Sequence, residues 1–120
     1  RVAYMGISFG ASTSLPLLAL EDRLKTAILL APGFTFRPMP PEADAINYVS
    51  HVTMPILMIG GRHDYVMPVE LVQKPLFERF GTPPDRKKHI VTESGHTDFP
   101  RSELIRDVLG WLDRSLGPVQ

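Results

Sequence analysis

The chain has 120 residues, the length of one ordinary domain. Its 13 basic and 13 acidic residues cancel to a formal net charge of zero, so no overall field draws it to nucleic acid or to an anionic membrane surface. Hydrophobic content of 43% suits a globular core, the absence of cysteine excludes disulfide and thiol chemistry, and no apolar run reaches membrane-spanning length. No secretory leader is visible; the compartment is open, with the cytoplasm as the default expectation.

Residues 1–5 carry Val2-Ala3-Tyr4-Met5, an apolar piece fit for a buried strand. Residues 9–20 read as a helix that Pro16 should bend. Residues 25–30 are a near-continuous apolar run, the pattern of a strand buried on both faces. Residues 33–41 are too rich in proline for regular structure. Phe34, Phe36 and Met39 there are candidates either for a substrate entrance or for plugging a core edge. A short helix is predicted within 42–52 and a third strand over 55–59.

Residues 68–80 read as a helix whose Val72, Leu76 and Phe80 share a face, with Pro75 kinking its middle. A fourth strand is predicted over 88–92. The last helix, 99–116, presents Leu104, Ile105, Val108, Trp111, Leu112 and Leu116 on one face, and Asp98 is a candidate cap. Strands alternating with helices predict an α/β fold: a mostly parallel sheet of about four strands with flanking helices, connected right-handedly.

Gly6-Ile7-Ser8-Phe9-Gly10 matches Gly-x-Ser-x-Gly, and it falls where a strand turns into a helix. Such a turn strains the central residue. Glycines on either side would remove clashing side chains, and the serine oxygen would project from the tip. The Phe9 N–H at the helix start is then placed to stabilise an oxyanion. A serine hydroxyl needs a base to take its proton, and the base needs an orienting acid. Asp64 follows the third strand and His96 the fourth, so Ser8, Asp64 and His96 all fall at carboxyl ends of strands, where open parallel sheets bind ligands. Asp64 as triad acid competes with Asp64 as cap of its own turn. Glu93 and Asp98, the other acids near His96, fit solvent-facing or capping roles, and His51 and His89 show no partner pattern. No spacing of histidines and acids suggests a metal, and Gly60-Gly61 lacks the Gly and Lys of a phosphate loop.

The order Ser8, Asp64, His96 resembles that of the α/β-hydrolase superfamily, in its C-terminal half, with a look closest to dienelactone-hydrolase-like and prolyl-oligopeptidase-like serine esterases. The resemblance covers essentially the whole chain. It implies a hydrolase of small-molecule carboxylic esters working through an acyl-enzyme, with Ser8, His96 and Asp64 as the triad, Phe9 in the oxyanion hole and no cofactor. A peptidase or acyl-peptide hydrolase, and a non-catalytic accessory module, are the alternatives. Proteins of this superfamily have strands before the elbow, one loop of which supplies a second oxyanion donor; this chain opens on the elbow strand. The expectation is therefore that a second copy of the chain, or a missing N-terminal half, covers that strand.

Overall fold

The computed structural model describes residues 1–34 and 37–118. Four strands form one sheet: β1 (Val2–Ile7), β2 (Leu24–Leu30), β3 (Ile56–Gly61) and β4 (Lys87–Thr92). All neighbours are parallel, in the spatial order β1-β2-β3-β4. Each crossover steps in the same direction, so right-handed connections put all of them on one face. The expected α/β architecture is thus what the chain adopts, and the first strand runs two residues further into the elbow than its composition suggests.

The predicted helix over 9–20 is two pieces, α1 (Phe9–Thr13) and α2 (Leu15–Leu20), separated at Ser14. Pro16 then lies in the first turn of α2, where a missing N–H costs little. The segment 42–52 contains a 3₁₀ helix (Ala45–His51), started by Asp44, whose carboxylate accepts the Ile46 N–H. Ahead of Pro75 the chain makes a π-helical turn (Val69–Gln73) and only then becomes α3 (Lys74–Arg79). The Gln73 N–H reaches back to the Pro68 carbonyl. The wider turn brings Pro75 into the first turn of α3, so the anticipated mid-helix kink is a π-turn instead.

Two apolar layers sandwich the sheet. On the crossover face, Ala27, Leu29, Ile56 and Met58 pack with Ala11, Leu15, Val49, Leu76 and Phe80. On the other face, Ile28, Leu30, Leu57 and Ile59 meet Trp111 of α4 (Arg101–Leu116), with Leu104, Val108 and Leu112 alongside. The continuous apolar runs of β2 and β3 exist because both faces are covered. Trp111 is pinned further: its Nε1–H donates to Thr26 Oγ1 at 2.8 Å, and Thr26 donates on to the Pro55 carbonyl.

Two expectations change, and for Phe34 one of the two alternatives is decided. Ile105, placed on the apolar face of the last helix, is 50% exposed. No side chain caps α4, which starts after Pro100, so Asp98 does not have the capping role. Phe34 packs against the crossover-face core, whereas Met39 is exposed; Phe36 lies outside the described residues.

Candidate active site

The site is assembled at the carboxyl ends of the parallel strands. Ser8 follows β1, and its backbone stands at φ 50°, ψ −109°, in the left-handed half of the map. For a residue with a side chain this costs on the order of 1–3 kcal/mol, which the surrounding contacts must hold. The Ser8 N–H donates to the Leu30 carbonyl at 2.8 Å. Ser12 Oγ donates to the Ser8 carbonyl at 2.9 Å and accepts the Gly33 N–H at 3.0 Å, tying the elbow to the loop after β2. Sequence reading passed over Ser12. Its signal was a hydroxyl one helical turn after the nucleophile candidate.

The two glycines of the motif are not equivalent. A Cβ on Gly6 would lie 2.8 Å from the Gly10 carbonyl carbon and 2.9 Å from the Ala11 nitrogen, because α1 folds back onto the end of β1. A Cβ on Gly10 would meet nothing nearer than the Tyr4 hydroxyl at 3.9 Å. The steric need expected on both sides of Ser8 therefore holds for Gly6 alone.

Ser8, His96 and Asp64 form one hydrogen-bonded chain. Ser8 Oγ lies 2.6 Å from His96 Nε2, and His96 Nδ1 lies 2.7 Å from Asp64 Oδ2. The Asp64 side chain is fully buried and that of His96 is 25% exposed. Asp64 Oδ1 accepts the N–H groups of Val66 and Met67, each at 2.8 Å. The triad-acid and turn-capping readings of Asp64 need not compete, because Oδ1 caps the turn while Oδ2 faces His96. A carboxylate only accepts, so His96 carries its proton on Nδ1, and its Nε2 lone pair faces the serine hydroxyl. Phe9 heads α1, and its N–H has no acceptor within the helix. Its side chain is 78% exposed.

The loops carrying Asp64 and His96 are laced together. The Arg62 N–H donates to the Thr92 carbonyl at 2.8 Å, and the His63 N–H to the Ser94 carbonyl at 3.0 Å. Outside, Glu93 takes Arg62 Nε and His63 Nε2. Its carboxyl is held below the usual range, first by the hydrogen bond from Arg62 and then by that from His63. Glu93 is thus solvent-facing and ion-paired, and the His63 ring is engaged with Glu93 at the surface. A Cβ on Gly61 would lie 2.0 Å from the Gly95 carbonyl oxygen, so the absence of a side chain there lets the histidine loop close over the end of β3. Of the pair Gly60-Gly61, Gly61 serves this approach, while Gly60 faces the Gln73 amide. Among the described residues no group of three His, Cys, Asp or Glu is placed to hold a metal ion, and no helix is long and apolar enough to cross a membrane.

His89, for which the sequence showed no partner, has one. Its Nε2 lies 3.1 Å from Gln73 Oε1. Burial first, and the Lys74 charge second, lower its pKa to about 4.

Known three-dimensional structures share this arrangement of strands and helices. An esterase of Pyrococcus furiosus superposes with a TM-score of 0.83 at 18% identity, over 98% of this chain and 55% of the esterase. A cold-adapted esterase from an Arctic intertidal metagenomic library does so at 0.73 and 24% identity, over 95% of this chain and 49% of its own. A monoacylglycerol lipase of Paleococcus ferrophilus matches at 0.77 and 14% identity, over 96% and 69%. The fold is of the α/β-hydrolase type, and the chain spans about half the length of these two esterases. No family profile and no curated protein matches the sequence.

Proposed function

We propose that this chain carries the catalytic centre of a serine-dependent hydrolase of carboxylic esters. The observation that carries the reading is the unbroken hydrogen-bonded line from Ser8 Oγ through His96 to Asp64, at the tip of a strained strand-to-helix turn. Esterases and a lipase among the structures of like fold add support.

In this mechanism Ser8 Oγ attacks the ester carbonyl carbon as His96 Nε2 takes its proton. Asp64 holds the imidazole in the required tautomer and stabilises the imidazolium that forms. Negative charge on the former carbonyl oxygen meets the Phe9 N–H at the start of α1. His96 then gives its proton to the departing alkoxide, which leaves as alcohol and the acyl group stays on Ser8. A water, deprotonated by the same nitrogen, attacks the acyl-enzyme; the acid leaves and Ser8 regains its proton. No step calls for a cofactor. We further propose a small-molecule ester as substrate and, as completion of the site, a second copy or a further stretch of the same protein over β1.

The test is covalent labelling. A fluorophosphonate should add to Ser8 of the folded protein, located by peptide mass, and Ser8→Ala should stay unlabelled. Folded wild-type protein that takes no label would favour the accessory-module reading instead.

A further inference from the structure

Gln73 is fully buried, on the π-turn that precedes α3. A buried amide must satisfy its two donors and its acceptor, so its partners fix its orientation. Nε2 donates to the Met67 carbonyl at 2.7 Å and to the Gly61 carbonyl at 3.1 Å. Carbonyls only accept, which settles which end is nitrogen. Oε1 faces His89 Nε2 and must accept from it. The low pKa of His89 keeps its ring neutral, so the ring holds its proton on Nε2. All three sites of the amide are thereby used.

The two carbonyls bracket one loop. Gly61 is the last residue of β3, and Met67 closes the turn that Asp64 caps through Oδ1. One side chain thus ties both ends of the segment 61–67, which delivers Asp64 to His96. Gly60 completes the fit: a Cβ there would sit 1.9 Å from Gln73 Oε1, so the amide lies where a side chain on the strand would stand.

We propose that Gln73 is a positioning residue for Asp64. By closing the 61–67 loop with two N–H donors, it fixes the carboxylate at the distance and angle that the His96 Nδ1–H requires. The inference rests on the reading of Asp64 as the orienting acid, and it goes beyond the Ser8–His96–Asp64 line to the element that holds it. Each donor bond opposes opening of the loop, and a carbonyl left buried without a partner adds its desolvation cost to that opening. The amide is therefore strong enough to decide whether the loop stays in one conformation.

The experiment compares wild type, Gln73→Met, Asp64→Asn and the double variant, each checked for folding by circular dichroism. The first readout needs no turnover: the downfield proton resonance of an imidazole N–H held against a carboxylate. Wild type should show it, Asp64→Asn should lose it, and Gln73→Met should weaken it and speed its exchange with water by about tenfold. The second is ester hydrolysis, in which Gln73→Met should lower kcat about tenfold with KM nearly unchanged and add nothing in the Asp64→Asn background. If Gln73→Met does not fold, Gln73→Asn, whose shorter amide cannot reach both carbonyls, carries the same measurements. An unchanged resonance in a folded variant overturns the proposal, as does a loss of kcat of equal size in both backgrounds. Failure of Ser8 to label in wild type would count against the hydrolase reading alone, since the proton resonance judges the clamp separately.

Discussion

Asp64 Oδ2 lies 2.7 Å from His96 Nδ1, while Oδ1 of the same carboxylate accepts the Val66 and Met67 N–H groups. The acid therefore cannot rotate from the imidazole without dismantling its own turn. In the proposed mechanism the orientation of His96 would be built in before substrate arrives, which is where electrostatic catalysis gains most.

Asp64→Asn tests this division of labour. An asparagine oxygen can still accept from Val66 and Met67, so the turn should survive. Its NH₂ group would then face His96 Nδ1 as a donor, forcing the proton onto Nε2 and leaving no base for Ser8. Ester turnover should fall by about 10⁴ with the melting temperature nearly unchanged. Glu93→Gln, which removes an exposed ion-pair partner, and Asp98→Asn should each cost far less. An Asp98→Asn loss as deep as that of Asp64→Asn would mean the acid is misassigned.

Ser8→Ala should abolish turnover of p-nitrophenyl acetate and butyrate while the fold is kept. The remaining strain at a positive φ is the same for alanine as for serine, so stability should move little. Equal turnover by the two proteins would remove Ser8 from the mechanism.

The motif glycines should separate. Gly6→Ala places a methyl 2.8 Å from the Gly10 backbone and should destabilise strongly or expel α1 from its place. Gly10→Ala has room and sits inside a helix, where alanine is favoured by about 1 kcal/mol. Denaturant midpoints of the two variants decide the point: a harmless Gly6→Ala would contradict the geometry.

Much of the fold and of the candidate site is legible because the candidate residues fall at strand ends. Val2 to Met5, the run through Leu30 and the run through Ile59 are apolar in blocks, so the residues just past each strand could be read as loop positions in a common plane. Ser8, Asp64 and His96 all sit there. What escaped depended on contacts distant in sequence. Gln73 interrupts an apolar helical stripe, a signal that could have marked it, but its partners Gly61, Met67 and His89 are set by the π-turn, which no local pattern announces. The exposure of Ile105 also hides in the sequence. Its spacing fits the buried face of α4, but that face meets β2 and β3 through Leu104, Val108, Trp111 and Leu112, and Ile105 is left half exposed.

His89 gives a pH dependence of stability. Its folded-state pKa of about 4 lies below the ordinary imidazole value near 6.5. Below about pH 6.5 the unfolded chain binds a proton that the folded chain refuses until about pH 4, so stability falls as pH falls across that window. The ring is partly exposed, and solvent screening reduces the effect to on the order of 1–2 kcal/mol. His89→Gln keeps a donor for Gln73 Oε1 but does not titrate. The difference in melting temperature between wild type and His89→Gln should change by several degrees from pH 7 to pH 4.5. Parallel curves would show that His89 is not the responsible group.

The last prediction concerns assembly. β1 pairs with β2 along one edge, and its other edge has no strand beside it among the described residues. Met5 and Ile7 align with Ile28 and Leu30, on the face that α4 covers further along the sheet, and they are 52% and 46% exposed. Val2, on the opposite face, is 52% exposed, and on α4 Ile105 and Leu109 are bare as well. An open edge with apolar residues on its faces is a template for another strand, and the zero net charge supplies little repulsion against it. We propose that a second copy pairs antiparallel along β1 about a two-fold axis, which closes both edges at once. Light scattering at low micromolar concentration should then give twice the chain mass. Met5→Lys, which alters an exposed position and no buried one, should return the monomer while keeping the fold. A wild-type chain that stays monomeric, folded and active would overturn the pairing.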